Sequence, residues 1–491
     1  MDNQPALKNK STVMKFPLFI AVIVFVWAQF MINRSAKAQA PTPAPAPTVP
    51  TADTSTFFPL PPTDSSQLGL GIQRTMRLLA TSTPVHRNRV RILFYGQSIT
   101  EQDWSKQVAD DLRSRFPNAD LDIRNLAIGG FAAQWLIRPA EHDVYPFYPD
   151  LVIFHVYGAN DSYEQIIKNI RSRTTSEVLM QKDHATYWPQ DNPDPNADKG
   201  IWWDYMMNQK YLPEIAKKYG CGLVDVRTAW VDYLKTNHLE PKALLIDGVH
   251  LNAHGNYLMA RIIERYLVYR PDLKPDDLGA VKDLPFKAMR HEAEDSYTTT
   301  FIGNRIDIVA ANDAKLIGPI DVLIDGKRPS AFPDCYAITR ADPGPWTKLF
   351  IRRVDHINPL ILEHWTYTVT KVNTDKTWAF NVSGSVTGPD GSGTSDKLFV
   401  SNSGRVKIDP TDYFRGWNDP LPNGYVESWD VVPMFTDTYT PPAIDNPASE
   451  YLTTLAQGLS NTEHTVKLTP ESGGKLVIKS LRVYRPLVSD Q

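Results

Sequence analysis

Four short polar segments hold the residues whose types and spacing can do chemistry. Ser98 sits in Gly96-Gln97-Ser98-Ile99-Thr100, after the apolar run Val90 to Tyr95. A serine between a strand and a helix lies at a sheet rim, beside the free N–H groups and the positive end of the helix dipole. Taken singly it reads as an N-cap or turn residue. No G-x-S-x-G surrounds it, so a nucleophile elbow is not supported. Asn125 to Gly130 closes on a glycine pair, which is either a plain turn or a loop that brings a backbone N–H close to a substrate oxygen. Gly158-Ala159-Asn160-Asp161 offers an Asx-turn residue or a side-chain amide able to donate to an oxyanion. In Asp247-Gly248-Val249-His250, the carboxylate three residues ahead of the histidine can accept from one imidazole nitrogen while the other faces a nucleophile. A serine hydroxyl is a poor nucleophile near neutrality and needs a base such as histidine. The developing oxyanion needs preorganised donors, each worth roughly 3–4 kcal/mol. As a set, these residues specify acyl transfer through a serine ester. None of the 11 His stands in an H-E-x-x-H or Cys/His cluster, so neither a metal nor another cofactor is expected.

The elements that must position these groups alternate. A helical stretch near Gln67 to Leu79 precedes the strand Val90 to Tyr95. Further strands read as Leu121 to Arg124, Leu151 to Tyr157, Val178 to Gln181 and Leu223 to Val226. Helices are expected at Trp104 to Phe116, Tyr205 to Lys218 and His254 to Tyr269. Near-continuous apolar strands between helices predict a parallel sheet covered on both faces. Ligands bind such sheets beyond the carboxyl ends of the strands, where the four polar segments fall. His254 reads as a residue at a helix N-terminus rather than a second base.

In their order and chemistry, GQSIT, IGG, GAND and DGVH resemble the four blocks of the SGNH (GDSL-type) hydrolases, over Val90 to Tyr269. The resemblance implies a flavodoxin-like three-layer α/β/α domain. It also implies Ser98 as nucleophile, His250 as general base and Asp247 as its orienting partner. The oxyanion hole it implies is the N–H groups of Ser98 and Gly130 with the Asn160 amide. Gly129 remains an alternative donor, because the glycine doublet leaves the register open by one. Gln97 and Ile99 depart from the Asp and Leu of the family name, but neither is a triad position.

A long loop after the fourth strand carries Tyr187, Trp188, Trp202 and Trp203 with several carboxylates, a combination that can stack on and hydrogen-bond to sugar rings. The competing reading is that Trp202 and Trp203 anchor the next helix.

The chain of 491 residues has 52 Lys+Arg against 55 Asp+Glu, so no basic excess attracts nucleic acid. Lys8, Lys10 and Lys15 precede the apolar run Phe16 to Ile32, a signal peptide or N-terminal membrane anchor within residues 1–40. Cleavage after Ala38 suits the Ala-x-Ala pattern. Residues 41–65 form a Pro-rich linker, expected to be extended. The α/β domain then spans 66–281. From 282 to 491, short β-rich runs between turn signals predict an all-β sandwich resembling the jelly-roll or galactose-binding modules of carbohydrate esterases. One helical spacing, Ser449 to Leu459, interrupts that pattern. Asp390 and Asp396 read as turn residues rather than calcium ligands, and Cys221 and Cys335 as unpaired thiols.

The expectation is an exported serine esterase, periplasmic, surface-anchored or secreted, acting on an acylated small molecule or glycan. The alternatives are a glycan-binding surface protein without catalysis, an acyltransferase, or a lipid esterase.

Overall fold

The computed structural model describes residues 57–273, 279–292, 295–311, 318–341, 348–415, 420–471 and 476–488. The apolar run 16–32 and most of the Pro-rich stretch lie outside the described residues. Among those described, no helix is long and apolar enough to cross a membrane.

Five parallel strands, β1 (Arg89–Gly96), β2 (Asp120–Asn125), β3 (Leu151–His155), β4 (Glu177–Gln181) and β5 (Gly222–Val224), pair in the order β2-β1-β3-β4-β5. That is the flavodoxin-like doubly wound order. Every residue of β3 and β4 is buried, because helices cover both faces. The period-2 alternation of the strands divides the core in two. Val90, Ile92, Phe94, Leu151 and Ile153 face α1 (Gln73–Ala80), α3 (Asp103–Arg115), α9 (Val226–Thr236) and α10 (Ala253–Tyr266). Leu93, Tyr95, Val152, Phe154 and Met180 face α4 (Ala133–Leu136), α5 (Ala140–Phe147), α6 (Asn160–Arg173) and α8 (Leu212–Tyr219). The short helices α2 (Ser98–Glu101) and α7 (Lys199–Met206) complete the set.

The single helix expected at Tyr205 to Lys218 is three pieces. A π-helical turn, Met207–Tyr211, joins α7 to α8 and turns the buried Asn208 toward the end of β4. There Asn208 accepts from the Asp183 N–H at 2.8 Å and donates to the Asp183 carboxylate at 3.0 Å. At the other end of the domain, residues 57–63 lie against α9 and α10. Phe57 stacks on His254 at 4.3 Å, and Arg265 donates to the Pro61 carbonyl.

The C-terminal region is antiparallel and β-rich. Its strands are β6 (Val281–Pro285), β7 (Arg290–His291), β8 (Tyr297–Ala310), β9 (Ile320–Ile324), β10 (Tyr336–Ile338), β11 (Leu349–Ile351), β12 (His364–Val372), β13 (Trp378–Gly384), β14 (Gly388–Thr394), β15 (Phe399–Val400), β16 (Lys407–Ile408), β17 (Tyr413–Arg415), β18 (Val426–Pro433), β19 (Thr438–Tyr439), β20 (Leu452–Pro470) and β21 (Ile478–Tyr484). One large sheet runs β19-β9-β20-β8-β21-β6, with β7 beside β8, a second runs β10-β18-β12-β13-β14, and β11-β17 and β15-β16 form two-stranded sheets. Each of the two larger sheets has its own apolar cluster.

Within the helical spacing at Ser449 to Leu459, the residues from Leu452 onward are in fact the start of β20, the longest strand among the described residues. Its pairing with β8 shifts register between Thr454 and Ala456 and again between Gln457 and Thr462. A bulge switches which residues face inward. Leu455, Ala456 and Leu459 are therefore all buried, at spacings that imitate a helix.

Cys335 lies in the first β cluster and Cys221 against the core of the α/β domain, and no disulfide joins them. Asp390 is not the turn residue expected: it is buried within β14 and accepts from the Ser403 N–H and hydroxyl at 2.8 and 2.6 Å, while Asp396 does lie in a turn.

Candidate active site

The carboxyl ends of β1 and β3 are held side by side by a close approach. Gly96 pairs with His155, and a Cβ at Gly96 would stand 2.0 Å from the His155 carbonyl oxygen. Only glycine allows the strands to meet there. Gln97 then takes an extended conformation, and Ser98 opens the one-turn helix α2. As the first amide of that turn, the Ser98 N–H has no intrahelical partner, nor any acceptor among the described residues.

Asp247-Gly248-Val249-His250 is a turn built on its own carboxylate. Asp247 Oδ1 accepts from the Val249 and His250 N–H groups at 2.7 and 2.8 Å, while Oδ2 pairs with His250 Nδ1 at 3.0 Å. Burial pushes the Asp247 carboxyl up. The hydrogen bonds from His250 and Val249 outweigh it and hold the carboxyl below the usual range. On the far side of the ring, His250 Nε2 stands 2.9 Å from Ser98 Oγ. Three side chains from opposite ends of the domain thus form one hydrogen-bonded line, with the imidazole about three-quarters buried.

Two residues absent from the sequence reading fix this line. Gln102, just past α2, donates to the Leu251 carbonyl at 2.9 Å and accepts from the Leu251 N–H at 3.0 Å. It thereby ties the serine turn to the histidine turn. His184 pairs through Nε2 with the Val249 carbonyl at 2.9 Å. Neither carried a sequence signal: Gln102 follows the GQSIT segment, and His184 stands beside the aromatics that drew attention to its loop.

The glycine pair divides its roles. The Gly129 N–H donates to Glu101 Oε1 at 2.7 Å, so that amide is already engaged. Burial raises the Glu101 carboxyl, and the Gly129 hydrogen bond, Arg340 and His250 act against it. Gly130 has φ of 77°, a left-handed conformation natural to glycine, and its N–H has no acceptor among the described residues. Asn160 is the first residue of α6, its Oδ1 buried without a donor.

The expected sugar-binding aromatics are held by other partners. Tyr187 donates to Asp204 at 2.8 Å, and Trp188 to Glu240 at 2.8 Å. Trp202 stacks on Tyr205 with centroids 5.8 Å apart. Trp203 packs into the core, so of the two tryptophans it is the anchor. His254 accompanies the helix as expected, 2.6 Å from the Tyr233 hydroxyl.

Such an arrangement can move a proton from a serine hydroxyl to an imidazole whose tautomer a carboxylate fixes. Residues 94–258 match the GDSL-like Lipase/Acylhydrolase family. This region is an SGNH hydrolase domain. It acts on ester bonds, and the segment that carries it holds all four polar blocks. Among solved structures, an acetylxylan esterase from Geobacillus stearothermophilus is similar at 19% identity and a TM-score of 0.32, covering 38% of this chain and 98% of that one. A two-domain esterase active on acetylated mannans is similar at 14% identity and a TM-score of 0.31, covering 83% of this chain and 93% of that one. No curated protein matches the chain.

Proposed function

We propose that this SGNH hydrolase is an exported serine esterase that removes acetyl groups from a polysaccharide. The observation that carries the reading is the line Ser98–His250–Asp247, at 2.9 and 3.0 Å. In this reading His250 Nε2 takes the Ser98 proton as Oγ attacks the acetyl carbonyl. Asp247 holds the proton on Nδ1 and stabilises the imidazolium. The Ser98 and Gly130 N–H groups and the Asn160 amide receive the oxyanion. The imidazolium then passes its proton to the departing sugar oxygen, leaving acetyl-Ser98. Water, deprotonated by the same imidazole, releases acetate and restores the serine.

The glycan is supported by Tyr187 and Trp188. Their polar edges are tied to carboxylates, and each residue remains more than a third exposed. Tyrosine and tryptophan surfaces of this kind suit stacking on sugar rings. Export is supported by the Lys-flanked apolar run 16–32 and the Ala-x-Ala pattern behind it.

Acetate release from acetylated xylan, acetylated mannan and p-nitrophenyl acetate tests the proposal. Wild type should release acetate from a glycan, and Ser98→Ala should lose about 10⁴-fold or more on every substrate. Hydrolysis unchanged in Ser98→Ala would refute the mechanism. Activity on long-chain esters and none on acetylated glycans would refute the substrate class.

A further inference from the structure

At the opposite end of the parallel sheet from Ser98, the α/β domain and the β region line a cavity of about 380 Å³ that is open to solvent on the side of the exposed Arg77. That is within the size range of small-molecule sites, ~300–1,000 Å³. Six arginines line it: Arg74, Arg77, Arg89, Arg91, Arg305 and Arg482. Arg89 opens β1 and Ser98 lies beyond its end, so eight residues of strand separate the two places, about 25 Å.

Three of the six are neutralised by carboxylates. Arg305 forms a two-pronged pair with Asp307 at 2.9 and 2.7 Å, and Arg74 pairs with Asp150 at 3.1 Å. Arg482 is held between Asp283 and Glu450, at 2.7 and 3.0 Å. The other three are not. Among the described residues the Arg91 side chain donates only to the Phe147 carbonyl, at 3.3 Å, while its backbone N–H donates to Asp150 Oδ2 at 2.9 Å. Neither the Arg77 nor the Arg89 side chain has a hydrogen-bond or ion-pair partner among the described residues, and the Arg89 Nε is buried without one. Burial and then the nearby Arg305 lower the Arg91 pKa against the pull of Asp307 and Asp150. A group so placed is short of counter-charge.

Cations gathered without counter-charge repel one another and lose hydration, which a fold tolerates where an anion returns both. Guanidinium forks match the paired oxygens of phosphate, and six arginines set against the four carboxylates Asp150, Asp283, Asp307 and Glu450 leave an excess of two positive charges, which favours a dianion over a monocarboxylate. We propose that this cavity is a second binding site, for a phosphate dianion, either the free ion or the phosphate group of a sugar ester. It does not depend on the esterase reading, because it shares no residue with that site.

Calorimetric titration of the full chain in low-chloride buffer tests this, with inorganic phosphate in one arm and glucose 6-phosphate in the other. Wild type should bind at least one of them, and Arg77→Gln with Arg89→Gln should weaken binding at least tenfold. Tighter binding of the ester would assign the site to a sugar phosphate, and tighter binding of inorganic phosphate to the free ion. Since neither side chain has a partner to lose, the double variant should fold, keep wild-type hydrolysis of p-nitrophenyl acetate, and melt no lower than wild type without phosphate. Phosphate should raise the melting temperature of wild type and not of the variant. No binding in either arm, equal binding by the variant, or a variant less stable without phosphate would overturn the proposal.

Discussion

At the scale of single residues, Asp247 and His184 show how one side chain serves turn and site together. One Asp247 oxygen ties the turn and the other meets the imidazole, so the geometry that presents His250 is set by the group that orients it. The sequence showed this pair openly, because a spacing of three within one turn is local. It could not show His184, whose partner, Val249, lies 65 residues away. Burial, and then His155, hold the His184 pKa down at about 4. An unfolded histidine takes up its proton near 6.5, so between there and about 4 the unfolded state binds protons that the folded state refuses. Stability contributed by neutral His184 is therefore full above that window and lost as pH falls through it, by up to about 3 kcal/mol. His184→Gln can still donate to the Val249 carbonyl and does not titrate. Urea unfolding at pH 7 and pH 4.5 should show wild type losing more stability than this variant. His142, also near 4, and Asp143, raised to about 7 with the opposite slope, are common to both proteins and cancel. Equal losses would contradict the assignment.

At the scale of elements, the site depends on how two turns from opposite ends of the domain are joined. The Gln102–Leu251 amide pair links them, and Asn256 adds a second link by accepting from the Trp104 N–H at 3.0 Å. Gln102→Ala removes the first link and leaves the second. Because small displacements of reacting groups cost rate, kcat should fall by about 10- to 100-fold with KM little changed. A larger effect on KM than on kcat, measured with p-nitrophenyl acetate, would place Gln102 in substrate binding instead. The strand–helix alternation was legible because buried parallel strands are continuous apolar runs and α10 carries a clean helical period. Two elements were not. The π-helical turn at Met207–Tyr211 arises from a tertiary demand, the delivery of Asn208 to Asp183, that leaves no mark on periodicity. In β20 the bulges broke the alternation on which strand recognition rests.

At the scale of the molecule, the β region is joined to the layer that carries the glycine loop. Phe350 of β11 and Phe414 of β17 meet Phe131, one residue past Gly130, with centroids 5.0 and 5.2 Å apart. Arg138 pairs with Asp412, and Arg340 with Asp143 at 3.1 Å. Phe350 belongs to the core of the α/β domain although 126 positions of sequence (350 − 224) separate it from the end of β5, the last strand of that sheet. No local pattern announces such a contact, so the change of pattern near residue 282 marks a boundary between two regions and gives no sign of the core they share. Phe350→Ala empties a buried ring site and should cost about 3–5 kcal/mol in urea unfolding. A cost below 1 kcal/mol would mean that the two regions do not share a core. The central claim is that Ser98 is the nucleophile, driven by His250. Its most direct measurement is mass-spectrometric mapping of the chain after reaction with a fluorophosphonate. The account predicts one adduct, on the Ser98 peptide, absent in Ser98→Ala and strongly slowed in His250→Ala. An adduct on another residue, or none from a preparation that still hydrolyses p-nitrophenyl acetate, would contradict it.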